Sequence, residues 1–169
     1  REENKRRGIE VSESEKLVKI PLLGVIAAGQ PMLSFAEAKA TIAVPQSRIP
    51  KTGDVFALKV SGESMIEENI NDGDIILAKQ QSVAENGQKV VALVDNYETT
   101  LKTYYKERGQ IRLQPANKNY ESIIIKKGER EFAIQGIFLD VIRNEPIVPL
   151  RIEGPKEKIE PLLKSFYNQ

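Results

Sequence analysis

The chain has no histidine and no cysteine among its 169 residues. Without cysteine there are no disulfides and no thiolate metal sites. Without histidine, Ser-His-Asp triads and the usual zinc sites are excluded. Charge of one sign is also missing. The formal net charge is +1, so no global basic field points to nucleic acid. No uninterrupted apolar run approaches membrane-spanning length. The N-terminal stretch REENKRRGIEVSESEK lacks the apolar core of a secretory signal. The expectation is a cytoplasmic protein with no membrane partner, no metal and no cofactor.

What is present is ordinary globular composition, with 40% hydrophobic and 29% charged residues, in a length that suits one domain with a core and a tail or two. Residues 1–18 are polar and read as a linker or hinge remnant. From Leu17 onward strand-like runs recur: LVKIPLLGVIA, VFALKVS at 55–61, DIILAK at 74–79, KVVALVD at 89–95, ETTLKTYY at 98–105, QIRLQPA at 110–116, SIIIK at 122–126 and EFAIQGIFLDVIR at 131–143. The turn signals DGD, ENGQ, DN, ERGQ, ANKN and KKGE separate them. Alternation within 55–60 puts Phe56, Leu58 and Val60 on one face. Short β runs at this spacing predict a mostly β fold, an antiparallel sheet folded into a distorted barrel or sandwich. The segment 145–169 is Pro-rich at first, with a short helix expected after Pro155.

A serine hydroxyl is a weak nucleophile until a base takes its proton. In VSGESMIEENINDGD, residues 60–74, Ser64 follows a glycine in a tight-turn sequence. Gly62 would let the backbone approach a substrate closely, and the N–H groups around Glu63, Ser64 and Met65 would face a developing oxyanion. The same SGES sequence also suits an ordinary turn. With no histidine available, a neutral lysine is a plausible base, and neutrality at moderate pH requires burial. Lys102 in TTLKTYYKE is the one charged residue between Thr99 and Tyr105, with Thr100 and Tyr104 as same-face neighbours. Taken alone, a single strand lysine is more often an edge residue that blocks aggregation.

Five segments in fixed order resemble the LexA family of self-cleaving repressors and their UmuD relatives. IPLLGVIAAGQP is similar to the cleavage-site region and VSGESM…INDGDIILA to the nucleophile segment. NGQKVVALVDNYETTLKTYY is similar to the lysine segment, IRLQPANKNY to the one after it, and FAIQGIFLDVIRN to the last strands. The resemblance covers about residues 19–144, expected to form the peptidase and dimerisation domain. It implies the LexA/signal-peptidase-like β fold, with Ser64 as nucleophile, Lys102 as general base and Ala28–Gly29 as the scissile bond of an autoproteolytic serine endopeptidase. It also implies a homodimer, activation by the RecA filament on single-stranded DNA in the SOS response, and operator DNA bound only through an upstream helix-turn-helix domain that residues 1–18 cannot make.

Asn69 stands where many relatives have glycine, and the 145–169 extension matches no family segment. The start at Arg1 suits the C-terminal half of a repressor or a naturally shorter UmuD-like polymerase accessory protein; AAG at the cleavage region leans toward the repressor branch. A signal peptidase would share the dyad but normally carries a membrane anchor. A catalytically silent dimerisation module is the remaining alternative.

Overall fold

The computed structural model describes residues 15–26 and 31–143, together with the backbone of 147–149. The expected scissile bond Ala28–Gly29 and the helix expected after Pro155 lie outside the described residues. Ten strands form one sheet: β1 (Leu17–Ile26), β2 (Ala40–Pro45), β3 (Val55–Val60), β4 (Ile75–Gln80), β5 (Lys89–Val94), β6 (Glu98–Glu107), β7 (Gln110–Gln114), β8 (Ile123–Lys126), β9 (Phe132–Ile142) and β10 (Ile147–Pro149). Their order across the sheet is β10-β2-β1-β3-β4-β9-β5-β6-β7-β8. Every pairing is antiparallel except β1 with β3. The mostly β, mostly antiparallel expectation therefore holds.

The eight strand-like runs of the sequence fall on β1 and β3–β9. Strand β2, ATIAVP, was not among them because alanines dilute its pattern. The β-branched Thr41, Ile42 and Val44 are its local signal.

Phe56, Leu58 and Val60 do share a face, packing with Leu23, Ile26, Met65 and Leu101 in one core. The opposite face of β3 is buried too. Val55 and Ala57 join Ile20, Leu22, Ile42 and Leu77 in a second core. This two-sided burial explains why VFALKV has apolar residues at nearly every position. A third core, around Val90, Tyr104, Leu113 and Ile134, packs where β5–β9 meet. Lys102 lies on β6 between these masses of apolar side chains.

Gly136 of β9 stands where the sheet leaves no room for a side chain. A Cβ there would stand 2.8 Å from the Lys79 carbonyl oxygen and 2.8 Å from Phe56 Cζ. Gly136→Ala therefore overpacks the junction of β9 with β4, and urea unfolding should report a loss of ~1–3 kcal/mol.

Candidate active site

The β3–β4 connection is built so that its tip is rigid. Val60 N–H donates to the Asp74 carbonyl at 2.7 Å, and Gly73 N–H donates back to the Val60 carbonyl at 2.8 Å. Gly62, with a φ of 100°, takes a conformation that L side chains rarely adopt. Its N–H donates to Asp72 Oδ1 at 2.8 Å, so Gly62 shapes the turn and is not a free donor. Asn69 has a φ of 58° and closes a short 3-10 turn over Ile66–Glu68 in the left-handed region. Asparagine tolerates this left-handed conformation, so the turn closes without a glycine here. Arg143 ties the base of the connection. It donates to both carboxylate oxygens of Asp74 and to the Asn69 carbonyl. The Asp74 carboxyl is lowered overall; burial of the group, which raises it, is outweighed by the Arg143 and Asn71 hydrogen bonds.

Ser64 sits half-buried at the tip, and Lys102 reaches it from β6. Lys102 Nζ lies 3.0 Å from Ser64 Oγ and 2.6 Å from Thr100 Oγ1. Only 7% of Lys102 is exposed. Burial lowers its ammonium from 10.5 to about 8, against a smaller upward pull from the Glu98 carboxylate. A nitrogen that loses its proton at mildly alkaline pH, within hydrogen-bond reach of a hydroxyl, has the geometry of a general base. Thr100 fixes the direction of the amine by accepting its second hydrogen bond. It is visible in the sequence as a same-face neighbour, but nothing there marks it as a lysine anchor.

The N–H groups of Glu63, Ser64 and Met65 donate to no acceptor among the described residues. Met65 itself is buried in the core with Val60 and Leu101, while the Glu63 side chain faces solvent. A second segment grips the turn from behind. Ala116 N–H donates to the Ser64 carbonyl, Asn117 Nδ2 to the Glu63 carbonyl, and Glu67 N–H to the Ala116 carbonyl, each at 2.8 Å. The sequence flags PANKN only as a turn, and its hold on Ser64 spans more than fifty residues.

The strand that precedes the expected scissile bond ends at this site. Ile26 packs in the same core as Met65 and Leu101, the immediate neighbours of Ser64 and Lys102, and β1 also touches β6. Leu33 N–H donates to the Leu23 carbonyl at 2.7 Å. The chain on either side of residues 27–30 is thereby fastened at the base of the loop.

The Peptidase S24-like family matches residues 21–139. A LexA repressor of Clostridium perfringens is 43% identical over 130 residues, covering 75% of this chain and 64% of the relative. One of Acetivibrio thermocellus is 47% identical over 134 residues, covering 79% and 61%. One of Geobacter metallireducens is 42% identical over 145 residues, covering 85% and 71%. The chain thus spans less than two-thirds of the length of the first two.

A buried base with a lowered pKa weakens the fold. Its cost is full below pH about 8, where folded and unfolded chains both carry the charge, and it fades as pH rises toward 10.5. Lys102→Met should therefore raise stability at neutral pH by up to ~3 kcal/mol, with the difference shrinking in alkaline buffer. Chemical denaturation of both chains across pH checks this.

Proposed function

Because the chain belongs to the Peptidase S24-like family, we propose that it is the self-cleaving domain of a LexA-like repressor, cutting its own Ala28–Gly29 bond with Ser64 and Lys102. The observation that carries this reading is the 3.0 Å approach of Lys102 Nζ to Ser64 Oγ on a buried lysine whose pKa falls to about 8.

In the cutting cycle, neutral Lys102 takes the Ser64 hydroxyl proton as Oγ attacks the Ala28 carbonyl carbon. The carbonyl oxygen becomes an oxyanion, facing the N–H groups of the Ser64 turn. Collapse breaks the Ala28–Gly29 bond. Lys102 passes its proton to the departing Gly29 amine, leaving Ala28 as an ester on Ser64. Water, deprotonated by the again neutral Lys102, then attacks the ester carbonyl; the bond to Oγ breaks, Lys102 returns the proton to Ser64 Oγ, and the fragment ending in the Ala28 carboxylate is released. The small side chains at 28 and 29 suit entry to a shallow site, and Gly29 permits the bend the substrate loop needs.

For the cut, the segment that holds residues 28 and 29 must dock at Ser64, so this reading implies a docked and an undocked arrangement of it. An activator would work by binding the docked arrangement better than the undocked one. By family resemblance, that activator is the RecA filament on single-stranded DNA, the partner subunit is a second copy of this chain, and operator DNA is held by an upstream helix-turn-helix domain. In this reading the linker is 1–18, the peptidase and dimerisation unit 19–144, and the extension 145–169.

Incubating the chain at mildly alkaline pH should yield two products whose masses place the break between Ala28 and Gly29. The rate should climb with pH through about 8 and then level off. Ser64→Ala and Lys102→Ala should each slow the cut by ~10³-fold or more. Fragments from either variant at the parent rate, or a rate flat across this pH range, would refute the dyad.

A further inference from the structure

We propose that Asn117 is a positioning residue that aims the backbone N–H group of Ser64 at the oxygen that gains negative charge during the cut. The inference rests on the self-cleaving reading above and adds a residue to it.

The argument starts from the peptide bond. A planar trans peptide points its C=O and its N–H in opposite directions. Holding the carbonyl of Glu63 therefore sets the direction of the Ser64 N–H. Holding the carbonyl of Ser64 likewise sets the Met65 N–H. Both carbonyls are held from one side of the turn. Asn117 Nδ2 donates to the Glu63 oxygen at 2.8 Å, and Ala116 N–H donates to the Ser64 oxygen at 2.8 Å. The two N–H groups consequently face away from residues 116–117, and neither has an acceptor among the described residues. Of the other N–H groups of the turn, that of Gly62 is committed to Asp72, and that of Glu63 also has no acceptor among the described residues.

Asn117 is itself held. It is 9% exposed, and its Oδ1 accepts from Asn119 N–H at 2.9 Å. With the oxygen side of the amide occupied, the NH₂ side is directed to Glu63. The backbone on either side of Asn117 grips Glu67: Glu67 N–H donates to the Ala116 carbonyl, and Lys118 N–H donates to Glu67 Oε2 at 2.8 Å. Contacts before and after Ser64 thus join the turn and residues 116–118 into one unit. Asn117 touches neither Ser64 Oγ nor Lys102 Nζ among these bonds, so its effect on the reaction runs through peptide orientation.

The Asn117→Asp variant isolates this effect. It keeps the acceptor for Asn119 N–H and the side-chain size, but sets a carboxylate oxygen against the Glu63 carbonyl. The measurements are self-cleavage of the full chain across mildly acidic to alkaline pH, and the affinity of a peptide aldehyde ending in alanine. The hemiacetal that aldehyde forms with Ser64 carries its oxygen in the oxyanion position. The expected result is a plateau rate lower by ~10²–10³-fold and an aldehyde affinity that falls in parallel. The pH midpoint, set by Lys102, stays in place and thermal unfolding remains cooperative. If Asn117→Asp does not fold, Asn117→Ala removes the donor without adding charge and gives the same comparison. A plateau rate equal to that of the unsubstituted chain overturns the assignment. So does a loss in which the pH midpoint moves while the aldehyde affinity does not. An unsubstituted chain that neither cuts itself nor captures the aldehyde overturns the self-cleaving reading beneath it, and this assignment with it.

Discussion

The burial of one amine governs this structure. Lys102 brings a group with an ordinary pKa of 10.5 into a setting where only 7% of the residue is exposed, and its pKa falls to about 8. An ammonium desolvated in this way is costly unless its hydrogens find acceptors. Ser64 Oγ and Thr100 Oγ1 supply two. Packing around β6 leaves the lysine only 7% exposed, so the packing that stabilises the fold also makes the amine less basic and leaves it neutral, able to accept a proton, at lower pH. Glu98, on the same strand, pulls the other way. The balance between desolvation and that carboxylate sets the pH at which the neutral amine becomes common.

A base of this kind is useful only if the hydroxyl beside it cannot drift. Most of the polar groups around the β3–β4 connection serve that end. Asp72 holds Gly62, Arg143 holds Asp74 and Asn69, and residues 116–118 hold Glu63, Ser64 and Glu67. Each contact is exposed or half-buried and adds little stability by itself. Together they leave the backbone near Ser64 with one arrangement, which is the condition for electrostatic preorganisation.

Much of this was legible in the sequence. Alternating and continuous apolar runs with Gly, Asn and Asp between them mark β1 and β3–β9, because strand burial and turn chemistry are local. The lack of histidine left lysine, aspartate or glutamate as possible bases for a serine, and it was the resemblance to the LexA family that singled out Ser64 and Lys102. Their meeting across 38 residues is not a matter of direct strand pairing, because β6 pairs with β5 and β7 and not with β3 or β4; it was anticipated by the order and spacing of the family's segments. The contacts of Asn117 with Glu63 and of Arg143 with Asp74 and Asn69 were not legible. Asn and Arg are common in turns and at strand ends, and no periodicity links positions 54 or 69 residues apart. The two-sided burial of β3 was half legible, since Phe56, Leu58 and Val60 reveal one face but not what covers Val55 and Ala57.

The account stands on Lys102 being a neutral amine at accessible pH. Nuclear magnetic resonance of the chain labelled at lysine Cε, with Gly29 replaced by a bulky residue to block the proposed cut while Ser64 and Lys102 stay intact, reads that state directly. One lysine resonance, lost in Lys102→Met, should titrate near pH 8. A Lys102 resonance that titrates at its ordinary 10.5 would contradict the account.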